Sequence, residues 1–395
     1  MKYDFKTVHS RKGTGSNKWN GMYEKCPNLS EDIVPFSVAD MEFANPPQIT
    51  EGVAEYLKHS ILGYTSPTES YYDAVIRWMK RRHQWEIKKE WIVDYPGVVP
   101  ALYHLVRLFS QPGEGIILFT PVYYPFYSAV ESAGRTLVNS ELILRNGRYE
   151  INFEDFEKKA ADEKNRVCIL CNPHNPVGRV WTKEELEKVG EICAQNGVLV
   201  ISDEIHNDLI LPGYEHTVFA SISEKFADNS ITCTAPSKTF NTAGLMTSNL
   251  VISNPKLMEK VKKFRSEQAI FSCNVAGYKA CEIAYNECED WLDELLKILD
   301  TNQKLVKNFL EQRIPEIRVF DLEGTYLQWL DCRALQMSAQ ELEEFMVTEA
   351  QIFADEGYMF GACGEGFERW NLACPTAVVQ NALDRLANAW DNKKK

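Results

Sequence analysis

The chain has 395 residues, a length that suits one large or two medium domains. Its 45% hydrophobic and 25% charged residues exclude disorder as the main state, because this much apolar surface can offset the entropy of the chain. The net charge of −13 argues against nucleic acid and anionic membranes as partners, since both attract clustered lysine and arginine.

Cysteine usage and the lack of targeting segments indicate a soluble, cytoplasmic protein. The 11 cysteines are scattered and too few for a disulfide scaffold, so we expect reduced, buried thiols. Cys168 and Cys171 form the only C-x-x-C pair of the sequence, without a second pair to complete a zinc site. The first 20 residues lack the apolar core of a signal peptide, and no stretch approaches the ~20 apolar residues of a membrane span.

In chain order, an irregular segment comes first and an alternation of strands and helices follows. Residues 1–45 are expected to pack with the C-terminal domain or to rim the site. Residues 46–285 predict a large domain, in which short β-branched apolar runs have the length of buried strands. These runs are Ile116–Phe119, Val167–Leu170, Val198–Ser202, Ile231–Cys233 and Leu250–Ile252. Their alternation with helical patterns predicts an α/β fold with a mainly parallel, doubly wound sheet covered by helices.

The clearest helix runs from Thr182 to Gln195, with Thr182 as N-cap and Glu185 as its capping-box partner. From about residue 286 the pattern changes to a smaller α+β domain that extends to residue 395. Its predicted elements are a long helix at 290–309, strand-like segments at 324–330 and 368–373, and a helix around 339–350.

Two segments before residue 130 are candidates for ligand contacts. The sequence from Gly97 to Ala101 opens a helix, and the free N–H groups of such a helix start suit an anion such as phosphate. No G-x-G-x-x-G or G-x-x-x-x-G-K-[ST] motif supports a nucleotide. Tyr123 and Tyr124 follow a strand and could cover a flat ring or simply pack in the core.

Three further clusters follow predicted strands, where open α/β sheets place their ligand sites. The segment Asn172–Gly178 contains two Asn-Pro pairs and a glycine, which impose a rigid turn and can aim Asn175 at a ligand oxygen. Asp203 directly follows a buried strand and needs a cationic partner, unless it is an ordinary acidic turn. Lys238 lies among small polar residues past a strand end and could form a Schiff base, or be an ordinary lysine.

A metal site built from Asp203, His206 and either Asp208 or His216 is disfavoured. Asp203 and Glu204 point to opposite faces of a strand, and no His-x-x-x-His pair supports such a site.

Taken in order, eight segments resemble the class I/II aminotransferase superfamily of fold-type I enzymes, which use pyridoxal 5′-phosphate (PLP). The segments are VADMEF at 38–43, GYT at 63–65, GVVPAL at 97–102, PVYYPF at 121–126, NPHNPVGRVW at 172–181, SDEIHNDL at 202–209, APSKTFN at 235–241 and FERWNLA at 367–373. Within the superfamily they are most similar to the cystalysin-type cysteine-S-conjugate β-lyase and cystathionine β-lyase branch. The resemblance covers nearly the whole chain and implies a large domain with a seven-stranded sheet.

The resemblance implies a cofactor site for PLP. Lys238 would form the Schiff base and later shuttle protons, while Asp203 would pair with the pyridinium nitrogen. Asn175 would donate to the phenolic oxygen of the ring, and Tyr123 would stack on the pyridine. His206 stands where many aminotransferases have a tyrosine, as the DEIH motif of the lyase branch leads one to expect.

The resemblance also implies how the phosphate is held. Ser237 and the backbone at Val98 and Val99 would bind it, and Tyr64 would reach it from the neighbouring subunit of a homodimer. Met246 occupies the position where many aminotransferases have a phosphate-binding arginine, so the charge must be balanced elsewhere.

For the substrate, the resemblance implies that Arg369 clamps the α-carboxylate, a task suited to a planar bidentate donor. Tyr124 would be a second catalytic residue beside Lys238, close to the cofactor and the substrate, and Ala39 would contribute to substrate binding. The expected reaction is α,β-elimination from cysteine, cystathionine or another S-substituted cysteine, which yields a thiol or sulfide, pyruvate and ammonia.

Three other functions stay open from the sequence. An aminotransferase is the nearest alternative, since fold and cofactor do not dictate the reaction. A second alternative is a protein that acts mainly by binding a regulatory partner, although no sequence feature marks a surface for such a partner. A nicotinamide-dependent oxidoreductase is disfavoured by the missing glycine fingerprint.

Overall fold

The computed structural model describes residues 2–30 and 32–395. Within them the chain forms thirteen strands: β1 (Ile92–Tyr95), β2 (Gly115–Thr120), β3 (Thr136–Glu141), β4 (Ile143–Arg145), β5 (Arg148–Glu150), β6 (Asn165–Cys171), β7 (Leu199–Asp203), β8 (Ser230–Thr234), β9 (Ser248–Val251), β10 (Arg318–Val319), β11 (Leu327–Asp331), β12 (Asp355–Glu356) and β13 (Phe367–Asn371). The α-helices of the same residues are α1 (Asn17–Lys25), α2 (Pro47–His59), α3 (Glu69–His83), α4 (Val98–Phe109), α5 (Pro125–Ser132), α6 (Phe153–Ala160), α7 (Lys183–Asn196), α8 (Glu224–Asp228), α9 (Pro236–Thr239), α10 (Pro255–Glu267), α11 (Val275–Glu287), α12 (Glu289–Arg313), α13 (Ala339–Glu344) and α14 (Thr376–Lys393).

A seven-stranded sheet forms the centre of the molecule, in the order β1-β9-β8-β7-β6-β2-β3. Strands β3, β2, β6, β7 and β8 are parallel, and β9 runs antiparallel to both β8 and β1. This confirms the predicted α/β fold with its mainly parallel sheet. Because β9 is antiparallel to both of its neighbours, six of the seven strands, β1 included, point the same way. Their carboxyl ends meet at one edge, and that edge carries the candidate site.

Both faces of the central sheet are buried. Successive side chains of a strand point to opposite faces, and in β2 Ile116 and Leu118 pack in one hydrophobic cluster while Ile117 and Phe119 pack in another. Helices cover the two faces, so the strands read as continuous apolar runs rather than as alternating patterns. This explains why short apolar runs located five of the seven strands, β2, β6, β7, β8 and β9, whereas the largely exposed edge strand β3 has no such run.

The predicted helix after β6 is α7, and its start follows from capping chemistry. Thr182 accepts the N–H of Glu185 at 3.2 Å, and the Glu185 carboxylate accepts the N–H of Thr182 at 2.9 Å, which completes a capping box. The helix ends at Gly197 with φ of 67°, a left-handed conformation that favours glycine.

A smaller antiparallel sheet, in the order β10-β11-β13-β12, lies in the C-terminal part of the chain. The hydrophobic cluster of the C-terminal elements also contains Trp19, Met22, Ile33, Val34 and Phe36. Tyr3 and Phe5 instead pack with α2, α3 and the start of α12. The division into residues 1–45, 46–285 and 286–395 stays a proposal.

None of the helices in the described part of the chain is long and apolar enough to cross a membrane. The same part of the chain has no group of three or more histidine, cysteine or acidic side chains that could hold a metal ion. The eleven cysteines, all within the described ranges, are free thiols.

The small sheet buries a pair of carboxyl groups. Glu356 on β12 and Glu368 on β13 are register partners, and neither carboxyl oxygen of Glu368 has a hydrogen-bond partner among the described residues. Burial, and next the charge of Glu356, raise the pKa of Glu368 well above its usual range. Burial also raises the pKa of Glu356. Such a pair is least costly when it carries a proton.

Glu368→Gln should make the chain less sensitive to rising pH. Because the folded-state pKa of Glu368 lies above its unfolded value of about 4.3, the folded chain binds more protons, and stability falls as the pH rises from the unfolded towards the folded pKa. Glutamine removes the charge, so the free energy of unfolding at pH 8 should exceed that of the wild type by about 1–3 kcal/mol. The difference should shrink towards pH 5.

Urea unfolding between pH 5 and 9 measures this difference. The matched control is Glu365→Gln, which changes an exposed glutamate two residues before β13 and should follow the wild-type curve. Parallel pH profiles for Glu368→Gln and the wild type would contradict the prediction.

Candidate active site

A cavity of about 340 Å³ lies at the carboxyl edge of the central sheet. Its walls come from residues at or just beyond the ends of β2, β6, β7 and β8 and from the start of α4. Nine of the predicted site residues line it: Ala39, Val98, Val99, Tyr123, Asn175, Asp203, His206, Ser237 and Lys238. The structure thus brings together segments that are up to 199 residues apart in the sequence.

Lys238 lies in the short helix α9, which follows the carboxyl end of β8 and borders the cavity. Its Nζ donates a hydrogen bond to the carbonyl oxygen of Ala39 at 2.6 Å, and the Tyr326 hydroxyl donates to the same oxygen at 2.9 Å. Burial lowers the pKa of Lys238 to about 8, because the charged amine loses its hydration. Roughly a tenth of this amine is therefore uncharged at pH 7, against less than about 0.1% for an unperturbed lysine, and this fraction is able to act as a nucleophile.

Asp203 ends β7 and presents a buried carboxyl group to the cavity. It accepts the N–H of Ile205 at 3.2 Å and forms no ion pair with any described residue. Burial raises its pKa to about 7. A buried carboxyl group without a cationic partner suits a ligand that brings its own positive charge, such as a protonated ring nitrogen.

His206 lies in the same wall and is buried as well. Its Nδ1 has no hydrogen-bond partner among the described residues, and its ring packs edge-to-face on Tyr326 at 5.8 Å. Burial, and next the charge of Lys238, lower the pKa of His206 well below its usual range, so the ring is neutral.

Asn175 is held in place by contacts on both its side chain and its backbone. Its Oδ1 accepts a hydrogen bond from Arg369 Nη1 at 2.9 Å, and its N–H donates to Cys171 Sγ at 3.4 Å. With Oδ1 occupied, the amide nitrogen is the atom left to donate to a ligand. Arg369 itself does not line the cavity, because its guanidinium is buried behind Asn175 and forms an ion pair with Asp355.

The two adjacent tyrosines occupy different places. Tyr123 lines the cavity and donates its N–H to the carbonyl oxygen of Asn175 at 3.1 Å. Tyr124 packs against Tyr123, with ring centroids 5.2 Å apart, and against Phe360 at 6.0 Å, outside the cavity wall. The sequence allowed either ring stacking or core packing for both tyrosines. Because Tyr123 lines the cavity, it can stack on a ring that binds there.

One end of the cavity is shaped to accept an anion. Gly97 has φ of 103°, which favours glycine, and it gives α4 no side-chain cap, so the N–H groups of Val98 and Val99 keep no intrahelical partner. Ser237 lies in the same wall. Met246 is there too, and Lys238 is the only lysine or arginine among the described residues that line the cavity.

Tyr64 lies away from the cavity and is fully exposed. Its neighbours Ile61 and Leu62 are also largely exposed, at 97% and 70%. A single chain therefore does not bring Tyr64 to the site.

Two residues near the site were not predicted from the sequence. Cys171 lines the cavity as the last residue of β6, and its place directly before Asn172 was an available signal. Asp355 lies in the two-residue strand β12, which is too short to leave a periodic pattern.

These residues fit PLP. The uncharged amine suits the aldehyde, the unpaired carboxyl suits the ring nitrogen, the fixed amide suits the ring oxygen, and the open helix start suits the phosphate.

Comparisons with known proteins agree with the geometry. Residues 31–386 match the family profile described as aminotransferase class I and II. The chain is 41% identical over 386 residues to cystathionine beta-lyase PatB of Bacillus subtilis, covering 98% of this chain and 99% of that protein. It is similar to the crystal structure of cystalysin from Treponema denticola, which contains a pyridoxal 5′-phosphate cofactor, with a TM-score of 0.98, 51% identity and full coverage of both chains. The PLP-bound C–S lyase of Staphylococcus hominis matches with a TM-score of 0.90 and 33% identity, over 98% of each chain.

The lowered pKa of Lys238 predicts selective reactivity in the cofactor-free chain. An aromatic aldehyde with cyanoborohydride should alkylate Lys238 at a rate that rises with pH and has its midpoint at about 8, because only the neutral amine attacks the aldehyde. Peptide mass spectrometry measures this profile, with exposed Lys256 as an internal control. A midpoint for Lys238 near the ~10.4 of an unperturbed lysine would contradict the assignment.

Proposed function

We propose, from the premise that this chain belongs to the aminotransferase class I and II family, that it is a PLP-dependent carbon–sulfur β-lyase. The observation that carries the proposal is one cavity that holds a buried, partly uncharged Lys238 together with the buried, unpaired Asp203. The named relatives point to the same reaction, since two of them are called a cystathionine β-lyase and a C–S lyase.

The chain's own residues divide the work of holding PLP. Asp203 would keep a proton on the ring nitrogen, Asn175 would donate its amide to the ring oxygen, and Tyr123 would stack on the ring. Ser237 and the N–H groups at the start of α4 would hold the phosphate. Bound PLP supplies an electron sink that stabilises the negative charge left on Cα of the substrate.

Lys238 performs the proton transfer. Its Nζ, with a pKa of about 8, takes the Cα proton as a general base. The carbonyl of Ala39, which already accepts a hydrogen bond from Nζ, keeps the amine in place while it carries that proton. Arg369 binds the α-carboxylate of the substrate, and Tyr124 lies beside the substrate.

The overall reaction breaks the bond between Cβ and sulfur. An S-substituted cysteine and one water give a thiol, pyruvate and ammonium, so no oxidant or reductant is consumed. Cysteine itself would give sulfide, and cystathionine would give homocysteine.

We also propose a homodimer that works in the cytoplasm. The exposed residues Ile61, Leu62 and Tyr64 form an apolar surface of the kind that a partner subunit covers. Tyr64 would then reach the phosphate of the neighbouring site and supply a contact that the cavity lacks at Met246. The eleven free thiols suit a reducing compartment.

Lys238→Ala should abolish pyruvate release from S-substituted cysteines. Without the amine, the general base is lost, and kcat should fall by at least about 10²–10⁴-fold. Pyruvate is followed by a coupled lactate dehydrogenase assay with no keto acid added. Release at the wild-type rate would contradict the mechanism. A 2-oxo acid that keeps its sulfur, formed by the wild type only when a keto acid is supplied, would indicate an aminotransferase.

A shared site predicts rescue between two inactive variants. In a hybrid of one Lys238→Ala subunit with one Tyr64→Ala subunit, one of the two sites keeps both residues, so each hybrid should show about half the wild-type activity. The control replaces the Lys238→Ala subunit with the double variant and leaves no intact site. Equal activity of the hybrid and the control would contradict the sharing of Tyr64.

A further inference from the structure

Three groups enclose the guanidinium of Arg369. Its Nη1 donates to Asn175 Oδ1 at 2.9 Å, its Nη2 donates to Asp355 Oδ2, and the Phe360 ring lies 4.7 Å from its Cζ. Both charged side chains are buried, with 1% of Arg369 and 8% of Asp355 exposed. Nε is left without a hydrogen-bond partner among the described residues.

Asp355 also connects this arginine to the backbone that supports the lysine. It is the register partner of Arg369 across β12 and β13, and its Oδ2 accepts the N–H of Val38 at 3.0 Å. Val38 has φ of 54°, a left-handed conformation that is rare for a β-branched residue and needs such support. The next residue, Ala39, offers the carbonyl oxygen that Lys238 binds.

We propose that Asp355 is a positioning residue that orients Arg369 for the substrate carboxylate and thereby sets the affinity for amino acids. The inference rests on the proposed function, in which Arg369 binds that carboxylate. A free arginine has many rotamers, and ordering it costs binding free energy. A fixed oxygen accepts a hydrogen bond from each of Nη1 and Nη2, so the Arg369 side chain is already ordered before the substrate binds.

The unpaired Nε and the second N–H groups of Nη1 and Nη2 are the donors left for a ligand. A buried N–H without a partner is costly, and a carboxylate that reaches it recovers the cost. Asp355 does not have to leave for this to happen, because it occupies Nη2 and is itself anchored by the N–H of Val38. Its charge also balances the guanidinium in the buried state between substrates.

The test compares Asp355→Ala and Asp355→Asn holoenzymes with the wild type. L-alanine and ethylamine, which differ only in the carboxylate, are titrated against the absorption band of the bound cofactor, and kcat and KM are measured with an S-substituted cysteine. The matched control is Asp331→Ala. Asp331 is a carboxylate of neighbouring strand β11 that pairs with Arg333 at 2.7 Å, away from the cavity.

Asp355→Ala should weaken L-alanine binding and raise KM by about 10- to 100-fold, with kcat within about threefold of the wild type. Ethylamine binding should stay within about twofold, because it has no carboxylate for Arg369. Asp355→Asn keeps an oxygen for Nη2 and for Val38 and should restore most of the affinity. Asp331→Ala should behave as the wild type in both titrations.

Three results would overturn the proposal. Equal weakening of L-alanine and ethylamine, or loss of the cofactor band with a lower melting temperature, would assign Asp355 a merely structural role. Tighter L-alanine binding by Asp355→Asn would mean that Asp355 competes with the substrate. A wild type that binds L-alanine but releases no pyruvate from any S-substituted cysteine would refute the proposed function. The binding of L-alanine and ethylamine by the Asp355 variants would still test the positioning role of Asp355.

Discussion

The site depends on one constraint: an amine and a carboxyl group of opposite charge are buried away from water in the same cavity. Burial lowers the pKa of the Lys238 amine to about 8 and raises the pKa of the Asp203 carboxyl to about 7. Both groups therefore titrate near neutral pH, where a base and a proton holder are useful. Neither group has a close ion-pair partner among the described residues, so a ligand that carries complementary charges is favoured there.

The fold keeps these groups buried, although the charged form of each is more stable in water. The carboxyl ends of parallel strands bring Asn175, Asp203 and Lys238 to one edge of a sheet whose two faces are sealed by hydrophobic clusters. The small antiparallel sheet adds Arg369 from behind Asn175, and the turn at Ala39 closes the cavity over the lysine. The site thus lies between elements from all parts of the chain.

The sequence predicted site residues best where a reactive side chain follows the end of a strand. Asp203, Asn175 and Lys238 each come directly or shortly after a short apolar run, and the structure places all three in the cavity. The resemblance added Arg369 and Tyr64, which no local pattern marks. Asp355 was missed because its importance comes from its register partner, fourteen residues away across two strands.

By itself the sequence located five strands of the central sheet and the helix α7 in their order along the chain, because strand length, helix capping and turn residues act over a few neighbouring positions. It also determined which side chains of reactive type follow the strands, and the charge that argues against polyanionic partners. Only the tertiary structure decided that Lys238 meets the carbonyl of Ala39, 199 residues away, and that Arg369 is enclosed by Asn175 and Asp355. Burial and cross-strand register are long-range properties, and they set the pKa values and orientations on which the chemistry rests.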